Sequence, residues 1–105
     1  MIEFRNVFSA AARASEAGKP AVLATIISAK GSTPRGVGSR MLVDDQQRLT
    51  GTIGGGCGEA QVLEVVERVL ATGEATVVRV DLTEDLFSWS PAVCGGTFDV
   101  LLERV

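Results

Sequence analysis

Three consecutive glycines, Gly54-Gly55-Gly56, stand between two stretches of different hydrophobic period and divide this chain sharply. Glycine gives up the most conformational freedom on folding and weakens both helix and strand interiors, so a triplet marks a tight turn. Upstream, residues 48–53 read as a strand, with Leu49 and Gly51 on one face and Thr50 and Thr52 on the other. Downstream, residues 58–71 read as an amphipathic helix. Ala60, Val62, Leu63, Val65, Val66, Val69 and Leu70 form its apolar side, Glu59, Glu64, Glu67 and Arg68 its solvated side, and Thr72-Gly73 stops it. A strand that turns straight into a helix presents the unpartnered first-turn amides, where the helix dipole favours negative charge. Cys57 sits at that point, so its thiolate form is expected to be favoured. Glu59 falls in the first helical turn, where capping is its expected role.

The remaining segments read in the same way. Phe4, Val7, Phe8, Ala11, Ala12 and Ser15 recur at helical spacing over residues 3–17, with Gly18 as the cap and Pro20 just beyond. Residues 21–29 are apolar and rich in β-branched side chains, as in a buried central strand. A polar loop from Lys30 to Gly38 leads to a strand at 39–43, a turn at Asp44-Asp45-Gln46-Gln47 and the strand at 48–53. Residues 75–82 alternate as a strand with one partly wet face, residues 83–92 read as an irregular loop, and 97–103 as the last strand. The order is α-β-β-β-α-β-β. It implies an α/β (α+β-like) domain with a single mixed β-sheet of about five strands and two helices. At 105 residues, the length prior gives one domain over 1–105.

Cys57 and Cys94 are the only cysteines, each set in glycine: Gly54-Gly55-Gly56-Cys57-Gly58 and Cys94-Gly95-Gly96. With no histidine in the chain, a Cys-His hydrolase is excluded and two thiolates make only half of a zinc site. The glycine spacing is neither a Walker A loop nor a dinucleotide fingerprint. A net charge of −3 without a basic stripe, and four Phe, one Trp and no Tyr, argue against nucleic acid as a partner. No apolar run approaches the roughly 18 residues that span a bilayer, and the N-terminus lacks a signal-peptide pattern. With so few cysteines the cytoplasm is the expected location. A third element, Ser32-Thr33-Pro34-Arg35, offers two hydroxyls and a guanidinium suited to a bidentate grip on phosphate or carboxylate. The competing reading is a solvated turn whose Ser and Thr bond their own backbone. Arg40 is a weaker second cation, better read as a surface residue, and Asp44, Asp45, Glu84 and Asp85 read as solvent-facing.

Together these elements resemble the N-terminal domain of the XdhC/CoxI family, accessory proteins of molybdenum hydroxylases such as xanthine dehydrogenase. The residues that carry the resemblance are Lys30-Gly31-Ser32-Thr33-Pro34-Arg35, Gly38-Ser39-Arg40-Met41, Gly51-Thr52-Ile53-Gly54-Gly55-Gly56-Cys57-Gly58-Glu59 and Cys94-Gly95-Gly96, in the family's order. This chain departs from the family pattern at Gly58, where a larger apolar residue is common, and at Ala92-Val93, where Met is common. It is also expected to lack the C-terminal nucleotide-binding-like domain that many members carry.

The resemblance implies a maturation factor rather than an enzyme. Such a protein binds molybdenum cofactor (molybdopterin or its dinucleotide form) and holds it for sulfuration and insertion into a xanthine dehydrogenase- or carbon monoxide dehydrogenase-type enzyme. Its implied site comprises Ser32, Thr33, Arg35, Gly54, Gly55, Gly56, Cys57, Cys94, Gly95 and Gly96, with Cys57 or Cys94 in contact with molybdenum. Its implied partners are the apoenzyme, a cysteine desulfurase and a separate chain supplying the missing domain; exposed sheet edges add a homodimer. The alternatives are a thiol-based sulfur carrier or redox protein using Cys57, or a non-catalytic interaction subunit.

Overall fold

The computed structural model describes residues 2–54, 58–82 and 95–105, with side chains from residue 6 onward. Helix α1 (Ile2–Glu16) is followed by strands β1 (Ala21–Lys30), β2 (Arg40–Asp44) and β3 (Leu49–Gly51). Helix α2 (Glu59–Thr72) then leads to β4 (Thr76–Asp81) and β5 (Thr97–Arg104). The expected order of two helices and five strands is met. The strands form one sheet in the order β3-β2-β1-β5-β4.

All four pairings are antiparallel, which corrects the expectation of a sheet mixed in strand direction. The reason lies in where the crossover lands. Helix α2 carries the chain from β3 at one edge to β4 at the other, and β5 then inserts between β4 and β1. Strands β1 and β4 run the same way but never pair, because β5 separates them. β3 is also shorter than the 48–53 reading, ending at Gly51, whose φ is +81°.

Side-chain alternation assigns the two faces. Val22, Ala24 and Ile26 of β1 join Met41, Val43, Phe98, Val100 and Leu102 beneath Val62, Val66 and Val69 of α2. Each Val, Ile, Leu, Met or Phe side chain among them, fully withdrawn from water, stabilises the fold by roughly 1.5–3 kcal/mol. On the opposite face, Ala21 and Leu42 pack with Val7 of α1. Helix α1 covers β1, β2 and β3, whereas α2 covers β1, β4 and β5.

The apolar stripe of α1 differs from the sequence reading. Its packed residues are Val7, Ala10, Ala11 and Ala14, while Phe8 is 48% exposed and Ala12 and Ser15 face solvent. Alanines bring the helix close to the sheet, and that close approach, rather than side-chain size, selects the buried side. The side chain of Phe4 lies outside the described residues. The caps are as expected: Lys19 N–H bonds the Ala14 carbonyl at 2.9 Å beside Gly18, and Gly73 N–H bonds the Val69 carbonyl at 2.8 Å.

Candidate functional site

Strand direction alone gathers the glycine-rich segments. In an antiparallel sheet of this order, the C-terminal ends of β1, β3 and β4 and the N-terminal ends of β2 and β5 share one end of the sheet. The loop after β1 holds Gly31 to Arg35, the connection from β3 to α2 leaves at Gly54 and enters the helix at Gly58, and Gly95-Gly96 leads into β5. All three therefore emerge together, although they are far apart in sequence.

The first and third segments are in direct contact. A Cβ placed on Gly96 would strike the Lys30 carbonyl oxygen and stand 2.7 Å from the Ser32 carbonyl oxygen and 2.9 Å from Thr33 Cγ2. A Cβ on Gly31, whose φ is +75°, would stand 3.1 Å from Gly96 Cα. The two backbones cross where only glycines fit. Hydrogen bonds fix the crossing on both sides: Leu82 N–H donates to the Gly96 carbonyl at 3.0 Å, and Lys30 pairs with Thr97 in the β1–β5 ladder. Gly95 is exposed, with nothing within 4 Å of where its Cβ would be.

The second segment reaches the same strands from the α2 face. Gly58 has φ of +78° and stands at the helix N-cap without a side-chain cap. A Cβ there would collide with Val80 Cγ1 and lie 3.5 Å from the Phe98 ring. Gly58, noted in the sequence as a departure from the family's larger residue, is thus required by the local packing of this chain. Ile53 is fully buried under α2 and anchors the start of the turn.

Thr52 and Glu59 tie the two ends of this turn. The Gly54 amide donates to Thr52 Oγ1 at 3.2 Å, and that hydroxyl donates to Glu59 Oε1 at 3.1 Å. Glu59 lies in the first turn of α2 as expected, but its carboxylate holds the Thr52 hydroxyl. Sequence reading treated Thr52 only as a residue on one strand face. The available signal was its position immediately before the apolar-glycine turn, with an acid seven residues on.

The first loop carries the local backbone bond that the solvated-turn reading expects. The Thr33 hydroxyl donates to the Arg35 carbonyl at 2.9 Å, the local backbone bond of a turn. Ser32 and Arg35 are exposed. Arg40 is partly buried on the α1 side, where it donates to the Gly38 carbonyl at 3.1 Å and lies 5.2 Å from the centre of the Phe8 ring. This cation–π contact on α1 was not foreseen. Asp44 also exceeds its expected part as a solvent-facing turn residue. It accepts from the Gln46 and Arg48 amides at 2.8 and 2.9 Å and from Arg48 Nε at 2.8 Å, which builds the β2–β3 turn.

Gly55, Gly56, Cys57 and Cys94 lie outside the described residues, as do Glu84, Asp85 and Ala92-Val93. Among the described residues, no group of three or more His, Cys, Asp or Glu could hold a metal ion. A cleft of about 210 Å³ lined by Arg13, Lys19, Leu42, Asp44 and Arg48 lies at the other end of the sheet, away from the glycine segments. No described helix is long and apolar enough to cross a membrane.

The chain is 38% identical over 90 residues to a probable xanthine dehydrogenase component of Bacillus subtilis, covering 81% of this chain and 26% of that protein. It is 28% identical over 105 residues to the molybdenum cofactor insertion chaperone PaoD of Escherichia coli, covering 98% of this chain and 32% of that one. A crystal structure of a xanthine dehydrogenase from Bacillus halodurans superposes with a TM-score of 0.76 at 33% identity, covering 92% of this chain and 30% of that one. The chain thus spans about a quarter to a third of the length of these relatives. A family model matches residues 14–81, more than half of the chain and both the Lys30–Arg35 and Gly51–Glu59 segments, and the chain belongs to the XdhC and CoxI family.

Proposed function

We propose that this chain serves a molybdenum hydroxylase of the xanthine dehydrogenase type as an accessory factor that binds molybdenum cofactor at the glycine-segment end of the sheet. The observation that carries this reading is the crossing of Lys30–Thr33 over Gly96 at the end of the sheet where the Gly54–Gly58 turn also emerges. Support from relatives comes from PaoD, named as a molybdenum cofactor insertion chaperone.

The residues suit such a group. A cofactor with a phosphate needs amide donors and a cation, and its thiophilic metal favours sulfur ligands. Gly95 presents bare backbone, and Ser32 and Arg35 are exposed in the loop that crosses Gly96. In this proposal Arg35, Ser32 and the glycine amides hold the anionic end, and Cys57 or Cys94 stands at the metal. Thr33 supports the loop through its bond to the Arg35 carbonyl. The bound group supplies the redox-active metal of the target enzyme, while this chain binds and shields it. A cysteine desulfurase, the target apoenzyme, a separate chain carrying further domains and a cytoplasmic location complete the proposal. The six-residue edge strand β4 is the surface on which a homodimer would pair.

The test is anaerobic gel filtration of the protein mixed with molybdenum cofactor, with molybdenum measured in the protein peak. Retention that falls in Cys57→Ala or Cys94→Ala supports the reading. No retention by the wild type, or wild-type retention in both variants, overturns it. A stable added sulfur on Cys57 after treatment with a desulfurase and cysteine, without retained cofactor, would instead support the sulfur-carrier alternative.

A further inference from the structure

We propose that the cleft between α1 and the β2–β3 hairpin binds a small organic carboxylate. It lies at the end of the sheet opposite the glycine segments and shares no residue with them, so the proposal stands independently of their role. The floor of the cleft is apolar. Buried Leu42 of β2 pairs with Thr50 of β3, and Ala10 and Ala14, one turn apart on α1, pack toward Leu42. The two alanine methyls are too short to fill the space beside Leu42, and about 210 Å³ is left open. That is less than the roughly 300–1,000 Å³ of a pocket for a drug-sized ligand, which limits the occupant to a small molecule.

The polar rim decides the charge of that occupant. Three cations, Arg13, Lys19 and Arg48, and two carboxylates, Asp44 and Asp45, line the cleft. Asp44 is already engaged: its Oδ1 accepts the Gln46 and Arg48 amides, and its Oδ2 accepts Arg48 Nε. This ion pair closes one wall with its two charges balanced. Among the described residues, no hydrogen bond or ion pair engages the side chains of Arg13, Lys19 or Thr50. The cleft therefore offers a guanidinium, an ammonium and a hydroxyl against the single carboxylate of Asp45, while the Gln46 amide both donates and accepts. The cleft is net positive on a chain whose net charge is −3. The helix dipole accounts for a base in the last turn of α1, where Arg13 stands, but not for Lys19 beyond the helix or for the apolar floor beside both. A carboxylate on a short apolar stem answers both halves of the cleft. In the proposed complex the Arg13 fork holds its two oxygens, Lys19 adds a point charge, and the stem covers Leu42, Ala10 and Ala14.

The experiment is a titration with sodium butyrate, followed by nuclear magnetic resonance of the Leu42, Ala10 and Ala14 methyl groups, at an ionic strength held constant with sodium chloride. Saturable shifts centred on the cleft are expected. Butyrate should bind more tightly than acetate by up to about tenfold, the gain from two further buried CH₂ groups. n-Propylammonium, with the same three-carbon stem and the opposite charge, should leave these signals unmoved. Arg13→Gln and Lys19→Gln, both at exposed positions, should each weaken butyrate about two- to fivefold, as loss of an exposed charge pair does. Ala10→Leu, which fills the cleft and keeps both cations, should abolish binding. No saturable shift, an equal response to n-propylammonium, or wild-type affinity in the Arg13→Gln/Lys19→Gln double variant overturns the proposal. Should Ala10→Leu fail to fold, the butyrate and acetate affinities still test the apolar half, and equal values refute it.

Discussion

Substituting alanine at the crossing of the first and third glycine segments tests the contact on which the proposed site depends. In Gly96→Ala the new methyl meets two backbone oxygens, those of Lys30 and Ser32, and Thr33 Cγ2. Backbone cannot rotate away as a flexible side chain can, so the cost is that of overpacking, about 1–3 kcal/mol. Gly31→Ala adds a different penalty, a non-glycine residue at φ +75°, costing roughly 1–2 kcal/mol. Because each methyl pushes the same two backbones apart, the second substitution should cost less once the first is made, with a coupling of about 0.5–3 kcal/mol. Gly36, in the same loop with no close neighbour and no positive φ, supplies the control. Gly36→Ala should be neutral or stabilise by about 0.4–1 kcal/mol through the unfolded state. Urea unfolding of the four proteins of the Gly31/Gly96 cycle, plus the Gly36→Ala control, gives every quantity required. In a domain near this size each kcal/mol also lowers the melting midpoint by about 4–8 °C. Additive costs at Gly31 and Gly96, or a Gly96→Ala protein as stable as wild type, would show that the two segments do not touch.

Further predictions concern the flanks of the site and the open part of the sheet. Gly58→Ala should destabilise by about 2–4 kcal/mol through its left-handed φ and the collision with Val80, and Val80→Ala in the same chain should recover part of that loss, as read by thermal unfolding. Asp99 bonds Arg79 at 2.9 Å and accepts from the Ser28 hydroxyl at 2.6 Å, and these partners hold its carboxyl at about 2, below its ordinary 3.8. A depressed folded-state value means that this stabilisation is complete above pH 3.8 and is lost as pH falls toward 2. Asp99→Asn should therefore flatten the acid limb of the stability profile between those values, measured by denaturant midpoints across pH. Asp44→Ala removes the acceptor for two turn amides and should cost about 1 kcal/mol, largely restored in Asp44→Asn, by the same assay.

Much of the fold was legible because period, caps and breakers agreed along the chain. The apolar run of β1, the glycine after each helix and the Asp44–Gln47 turn each carry a local signal that long-range packing does not override. What was not legible depended on pairing between distant segments. Nothing in residues 75–103 says that β5 enters between β4 and β1, so the uniform antiparallel sheet could not be read. The choice of Ala10 and Ala14 over Phe8 as the buried side of α1 depends on how closely the helix approaches Leu42, which is also non-local.

The candidate site divides similarly. Its glycines were recognisable as turn residues, but the reason Gly31 and Gly96 must both be glycine is that each lies against the other's backbone. Gly58 looked like a departure from the family pattern until Val80 was seen beneath it. Thr52 and Glu59 looked like a strand residue and a helix cap; their mutual bond appears only when the ends of the turn are brought together in space.

The most direct test of a single shared cradle is protection of the cysteines by bound cofactor. The protein is loaded with molybdenum cofactor under anaerobic conditions, treated with iodoacetamide, and alkylation at Cys57 and Cys94 is quantified by peptide mass spectrometry against molybdenum bound per chain. A shared site predicts that both cysteines become protected together, in proportion to the metal retained. Protection of neither cysteine, or of both without retained metal, would contradict it.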